Sequence, residues 1–133
     1  MNVDKYLTDF ETNFSDWDGG SGSATTGKIN RNLEKAICFY PSKREYSYQG
    51  VVGGKANKTT IIKPVTILLR YTKNQLSAET MAQKLFDFYN ERSFFIDNKR
   101  IFVMMPYNDP VYYGTDEFGV FEYSIELDLY EEV

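Results

Sequence analysis

The last part of the chain holds the pattern that most restricts the fold. Between positions 121 and 129, apolar residues alternate with polar ones, and the apolar set is Phe121, Tyr123, Ile125, Leu127 and Leu129. Successive side chains of a β-strand point to opposite faces, so this alternation places the apolar set on one face. The other face would carry Glu122, Ser124, Glu126 and Asp128. The segment therefore predicts an antiparallel strand with one buried face and one solvated face.

Two segments show the three- and four-residue spacing of an amphipathic helix. The first lies near the start of the chain, with its stripe at Val3, Tyr6, Leu7, Phe10 and Phe14. Residues 15–23 are rich in Ser, Gly and Asp and predict a loop after it. Ser77 is the expected N-cap of the second helix. The stripe of that helix is Ala78, Met81, Ala82, Leu85 and Tyr89.

Further strands are predicted at residues 36–40, 46–52, 61–71 and 101–105, with the first two forming a hairpin. Pro64 cannot donate to a ladder, so the strand at 61–71 is expected at an edge or with an irregular start. Residues 101–105 are apolar on both faces, which favours a central strand. The element order predicts an α+β domain in which two main helices pack on one face of a mostly antiparallel sheet. One domain of residues 1–133 is expected.

The residue types present argue against catalysis. The chain has no histidine, which removes the commonest general base and the commonest zinc ligand. Cys38 lies in an apolar run, so it is expected to be a buried, inert thiol. Asp16 and Asp18 lack the remaining ligands of a calcium loop. The glycine-rich stretch at 53–60 lacks the spacing of a phosphate-binding loop. We therefore expect no enzyme activity, no cofactor and no metal site.

Charge is distributed unevenly along the chain. Residues 28–73 hold ten Lys or Arg against Glu34 and Glu45, whereas residues 101–133 hold eight Asp or Glu and no basic residue. Such asymmetry is either neutralised inside one fold or leaves faces of opposite sign, which favours head-to-tail association. The net charge of −4 argues against binding of nucleic acid. No signal peptide and no apolar run near membrane-spanning length is present, so a soluble protein that stays where it is made is expected.

Six segments match, in order and spacing, a known family. They are Gly-Gly-Lys-Ala-Asn at 53–57, Lys-Pro-Val-Thr-Ile-Leu-Leu-Arg at 63–70, Ser-Ala-Glu-Thr-Met-Ala at 77–82, Pro-Tyr-Asn-Asp-Pro at 106–110, Gly-Thr-Asp-Glu-Phe-Gly at 114–119 and Phe-Glu-Tyr-Ser-Ile at 121–125. Through these segments the chain resembles the tail terminator, or minor capsid, proteins of long-tailed bacteriophages. The resemblance covers most of the chain and is weakest at the N-terminal part, around Trp17.

The resemblance implies a structural virion protein encoded by a phage or prophage and made in the cytoplasm of a bacterial host. Members of that family form a six-fold ring that closes the growing end of the tail tube and later docks onto the head connector. The implied partners are other copies of the chain in a hexameric ring, the tail tube protein and a head-completion or connector protein. The host, the oligomeric state of the free protein and the surfaces that face tube and head stay open.

Three alternatives remain beside this interpretation. The chain could be another small head–tail connector or minor capsid component, an α+β binding module from a bacterium, or a metal-dependent enzyme that uses carboxylates only. For a ring, the opposite charges supply a candidate interface between subunits. Its basic members are Lys55, Lys58, Lys63 and Arg70, and its acidic members are Glu122, Glu126 and Asp128. Pairing of the same residues within one subunit is the competing explanation.

Overall fold

The structure, a computed structural model, describes residues 4–42 and 60–132. These ranges form two α-helices, α1 (Asp4–Asn13) and α2 (Gln75–Tyr89). They also form seven strands: β1 (Ala24–Thr26), β2 (Lys35–Pro41), β3 (Thr60–Tyr71), β4 (Ser93–Ile96), β5 (Lys99–Met104), β6 (Val111–Thr115) and β7 (Phe121–Glu132). The α+β class with a mostly antiparallel sheet is confirmed. The hairpin partner predicted at 46–52 lies outside the described residues.

The seven strands belong to one sheet in which β3 and β7 are central. The order is β1-β2-β3-β7-β5-β4, and β6 also pairs with β7. β1 runs parallel to β2, and the other described pairs are antiparallel. β5 and β6 lie end to end along the same side of β7, pairing with residues 128–131 and 121–124 respectively. The sequence indicated two strands after α2, and the structure has four, because β4 and β6 are short and weakly patterned.

Pro64 does not place β3 at an edge, so that part of the prediction is wrong. β3 lies between β2 and β7, and Pro64 pairs with Asp128 of β7. Its carbonyl accepts a hydrogen bond from the Ser42 backbone N–H at 3.0 Å, just beyond the last β2 residue. The carbonyl and the nitrogen of one strand residue point to the same side, so the missing N–H of Pro64 faces the place where β2 ends. The proline is tolerated because the β2–β3 ladder ends next to it, so no strand residue requires an N–H from Pro64.

The second helix begins three residues earlier than expected. Asn74, not Ser77, is the N-cap, and its side chain accepts the Ser77 backbone N–H at 3.1 Å. The backbone carbonyl of Asn74 also accepts a hydrogen bond from the Ala78 N–H at 3.1 Å. An N-cap side chain satisfies one of the helix donors that have no partner inside the helix. Asn and Ser are both good caps, so the sequence alone did not separate the two positions.

One buried cluster joins the helices to alternate residues of the strands. Phe10 and Phe14 of the N-terminal helix stripe are buried as predicted, and so is Leu85 of α2. The sheet contributes Ile37, Phe39, Val65, Ile67, Leu69, Ile101, Val103, Ile125, Leu127 and Leu129, among others. Trp17 belongs to this cluster, with its ring 6.0 Å from that of Phe10 and 5.9 Å from that of Tyr71. The loop after α1 is therefore fastened to the core by its tryptophan.

The prediction of a solvated face on the last strand is wrong at its first half. Glu122 and Ser124 are only 6% and 7% exposed, while Glu126 and Asp128 are half-buried. β5 is less buried than its sequence predicted. It is internal, between β4 and β7, but only Ile101 and Val103 are buried. Residues 27–33 cover part of the sheet where β7 begins, and alternation in β7 alone could not show that cover.

We expect Leu127→Ala to destabilise the protein by about 2–5 kcal/mol, because Leu127 is 1% exposed at the centre of the sheet. Chemical denaturation monitored by circular dichroism measures this. The matched control is Leu76→Ala on α2, where the leucine is 73% exposed and the cost should stay within about 0.5 kcal/mol. Equal losses in the two variants would show that β7 is misplaced.

Candidate functional site

One face of the sheet carries most of the buried polar groups. This face, called here the polar face, holds the residues that alternate with the core cluster: Ala36, Cys38, Tyr40, Thr66, Leu68, Arg70, Glu122, Ser124 and Glu126. Ile29 and Leu33, from the connection between β1 and β2, pack over it against Ala36, Cys38 and Leu68. The polar face is thus partly covered by residues 27–33 and partly open.

Arg70 ties three segments together on the polar face. Its side chain is 3% exposed and forms an ion pair with Asp116, which lies between β6 and β7. Its Nε donates to the Leu33 carbonyl at 2.8 Å. Next to this pair, Arg31 contacts the Glu122 carboxylate at 3.2 Å. A buried guanidinium needs several acceptors to offset its desolvation, and Asp116 with the Leu33 carbonyl provides them.

Asp116 also closes the turn between β6 and β7. Its Oδ1 accepts the backbone N–H groups of Phe118 and Val120, each at 2.9 Å. Gly119, with φ of +83°, allows the chain to reverse at this point. Phe118 is left at the tip of the turn, 66% exposed. The same carboxylate therefore fixes the turn and anchors it to Arg70.

The pKa of Asp116 reflects these contacts. Partial burial acts to raise it, but the hydrogen bond from Arg70 and those from the Val120 and Phe118 backbones outweigh burial and lower the pKa of Asp116 to about 2. Asp116 is therefore ionised at neutral pH and holds the turn as a carboxylate.

Glu126 accepts two hydrogen bonds farther along the polar face. Thr66 Oγ1 donates to it at 2.6 Å and Ser42 Oγ at 3.3 Å. Burial raises the pKa of Tyr40, and the charges of Glu126 and Tyr113 raise it further. Tyr40 of β2 therefore lies near both Glu126 of β7 and Tyr113 of β6. Burial also raises the pKa of the Cys38 thiol, which keeps this sulfur protonated.

A cavity of about 780 Å³ opens beside this network. We call it the basic pocket and define it by its lining: Gly27, Lys28, Ile29, Asn30, Arg31, Asn32, Cys38, Tyr40 and Leu68. Its floor is apolar, and its rim carries two cations and two amides. Lys28 is exposed and forms no ion pair with any residue of the described ranges. One of these cations, Arg31, is already paired with Glu122.

The β6 side of the sheet exposes aromatic residues. We call this surface the aromatic edge, defined by Tyr107, Val111, Tyr112, Tyr113 and Phe118, which are 41–67% exposed. In the described part of the chain, no strand pairs with the outer side of β6. Tyr112 packs against Tyr123 and Phe121 with ring centroids 5.5 and 6.3 Å apart. The aromatic edge is therefore a supported surface and is continuous with the sheet.

The arrangement offers binding surfaces. Within residues 4–42 and 60–132, no three His, Cys, Asp or Glu side chains are grouped where they could hold a metal ion. Asp18, one of the two loop carboxylates considered for a cation, instead contacts Lys35 Nζ and Tyr71 Oη, both at 2.7 Å.

The structure places the seven predicted interface residues in different environments. Lys55 and Lys58 lie outside the described residues. Lys63 is half-buried and shares its side of β3 with Val65. Arg70 and Glu122 face each other in the register of β3 and β7 and are buried in ion pairs with Asp116 and Arg31. This placement favours pairing within one subunit for these two residues.

Glu122, Glu126 and Asp128 all lie on the polar face of β7, where Glu122 is buried and the other two are half-buried. Sequence reasoning missed three residues: Lys28 on the pocket rim, Arg31 as partner of Glu122, and Phe118 at the turn. A signal for Lys28 and Arg31 existed, because residues 19–33 contain these two cations and no acidic residue.

These features define the class of the protein as an α+β domain with an internal ion-pair network and an exposed aromatic edge. No family model matches the chain, and no curated protein sequence matches it. None of the helices in the described part is long and apolar enough to cross a membrane.

We expect Arg70→Met to destabilise the protein more than removal of a surface charge does, because Arg70 is 3% exposed and its contacts with Asp116 and the Leu33 carbonyl are lost together. Thermal or chemical denaturation measures the loss. Lys73→Met is the control, since Lys73 is 62% exposed and lies 3.9 Å from Glu34. It should cost at most about 1 kcal/mol. Similar small losses for both variants would contradict the role assigned to Arg70.

Stability should fall in acid through Asp116. The pKa of Asp116 is lower in the folded chain, about 2, than the value near 4 of an unfolded aspartate, so its contribution is complete above about pH 4. It is lost as the pH falls through about 2. Asp116→Asn should therefore show a smaller loss of stability between pH 4 and 2 than wild type. An acid loss in Asp116→Asn as large as that of wild type would refute the assignment.

Proposed function

We propose that this chain is a structural protein that assembles with copies of itself into a ring, as a tail terminator of a long-tailed bacteriophage. In this role the ring closes the tail tube, and its partners are the tail tube protein and a head-completion or connector protein. The observation that carries the proposal is the aromatic edge, together with the segment-by-segment resemblance to that family.

The aromatic edge supports assembly because water-exposed aromatic surface is costly for a monomer. Tyr112, Tyr113 and Phe118 are each more than half exposed, within one short segment of the chain. Tyrosine and phenylalanine are enriched at the centres of protein interfaces, where their rings are removed from water. A contiguous exposed patch of such residues marks an interaction surface.

The position of the resembling segments supports the same role. The segments at 106–110 and 114–119 fall in the link between β5 and β6 and in the turn between β6 and β7, the region of the aromatic edge. The proposed subunit has both helices packed on one face of the sheet, a placement supported by their shared cluster with alternate strand residues. That placement leaves the polar face and the two ends of the sheet for contacts between subunits.

A ring also needs two different surfaces on each subunit, since each copy meets its neighbours head to tail. The sheet provides them. β1 lies at one end of the strand order and β4 at the other, with β6 beside β7.

The proposal is tested by the mass and shape of particles at increasing protein concentration. We expect sedimentation velocity to show a species of about six times the chain mass of 15.5 kDa, and negative-stain electron microscopy to show six-fold rings. Purified tail tubes from the phage or prophage that encodes the chain should promote the ring if the free protein stays monomeric. A chain that remains monomeric at all concentrations, and neither forms rings on tubes nor binds them, would refute the proposal.

A further inference from the structure

We infer that a buried water molecule binds where α1 meets the end of α2, held by Asp9, Tyr89 and Arg92. This water accepts hydrogen bonds from the Tyr89 hydroxyl and from Arg92 Nε, and it donates one to Asp9 Oδ2. The site lies inside one subunit, so it is independent of the proposed ring.

Three buried polar atoms define the site. They are Asp9 Oδ2, the Tyr89 hydroxyl oxygen and Arg92 Nε, and none of them has a hydrogen-bond partner within residues 4–42 and 60–132. Tyr89 is 2% exposed, so its hydroxyl does not reach bulk solvent. A buried polar group without a partner is costly, and folded proteins pair nearly all such groups with protein atoms or ordered water.

The three residues lie close together. Arg92 Nη2 donates to Asp9 Oδ1 at 2.6 Å. Arg92 Nε is bonded to the same carbon as Nη2, and Asp9 Oδ2 to the same carbon as Oδ1, so both atoms lie beside this contact. Burial raises the pKa of the Tyr89 hydroxyl, the charge of Asp9 raises it further and that of Arg92 lowers it, which places the hydroxyl near both charges.

Neighbouring contacts fix the orientation of the ion pair. Asp9 Oδ1 also accepts a hydrogen bond from Asn13 Nδ2 at 2.9 Å, which holds the carboxylate. The Arg92 guanidinium lies over the rings of Phe88 and Phe94, 4.4 and 4.8 Å from their centroids. A rotation of the guanidinium would weaken both cation–π contacts. A bridging molecule satisfies the three atoms without disturbing these contacts.

The pattern of donors and acceptors selects water as that molecule. The Tyr89 hydroxyl is a donor, because its raised pKa keeps the proton in place at neutral pH. Arg92 Nε is a second donor, and Asp9 Oδ2 is an acceptor. A cation is disfavoured beside the Arg92 charge, and an anion beside the Asp9 carboxylate. A buried water typically makes about three hydrogen bonds, as many as this site offers.

The water joins three elements of the fold. Asp9 belongs to α1, Tyr89 ends α2, and Arg92 directly precedes β4. The Arg92 backbone is itself fixed, since its N–H donates to the Tyr89 carbonyl at 3.1 Å and its carbonyl accepts the Val103 N–H at 2.9 Å. The site therefore links α1 to the sheet by a polar contact, in addition to the buried apolar stripe of the helix.

A crystal structure at high resolution tests the position of the water. We expect one ordered water within hydrogen-bond distance of Asp9 Oδ2, the Tyr89 hydroxyl and Arg92 Nε. A direct hydrogen bond from Arg92 Nε or from Tyr89 to Asp9 Oδ2, without a water between them, would overturn the inference. In solution, a nuclear Overhauser contact between water and the Arg92 Nε proton should report a long-lived water, and a resolved proton signal without that contact would overturn it as well.

Tyr89→Phe tests the hydroxyl by the sign of its effect. If water holds the hydroxyl, its removal loses a hydrogen bond and should lower the melting temperature by about 4 °C. If the hydroxyl has no partner, its removal relieves a buried donor and should raise the melting temperature. The control is Tyr130→Phe, at a half-buried tyrosine of the polar face, which should change the melting temperature by less than about 1 °C. A raised or unchanged melting temperature in Tyr89→Phe would overturn the inference.

Discussion

The pairing of β3 with β7 is the constraint on which the rest of the structure depends. Two strands of twelve residues pair antiparallel over eleven positions, from Thr60 with Glu132 to Arg70 with Glu122. In that register, alternate residues from 65 to 71 of β3 and from 121 to 129 of β7 reach the core cluster, and a shift by one residue would turn them to the other face. β2, β5 and β6 then add to the free sides of this pair. The helices in turn cover the apolar surface that the pair creates.

The same register decides what the charges of the middle and the end of the chain do. Arg70 and Glu122 are brought opposite each other and buried, and each is given a separate partner, Asp116 and Arg31. Part of the opposite charge is therefore paired inside the subunit. These ion pairs fix the β6–β7 turn and residues 27–33. Among the residues that the structure describes, Lys28, Asp109 and Glu117 stay exposed. The internal network and the proposed contact are thus linked, since Arg70 holds the turn that presents Phe118.

The sequence predicted the elements that bury a regular stripe and missed those that do not. The alternation in β7 and the apolar stripes of α1 and α2 were sufficient to predict these three elements, because burial of one face requires that spacing. β4 and β6 were missed because their residues are exposed on at least one side and lack a period. The burial of Glu122 depends on Arg31, which is 91 positions away in the sequence. The basic pocket likewise combines residues 27–32 with two strands, so only the folded chain could show it.

Hydrogen–deuterium exchange on dilute and on assembled protein tests the central claim, that copies of this chain meet through the aromatic edge. Exchange reports protection of individual backbone segments, so it locates the contact without any substitution. The account predicts that assembly slows exchange in residues 105–119, while the centre of β3 and β7 keeps its exchange rates. Protection confined to α2, or equal exchange in residues 105–119 before and after assembly, would contradict it.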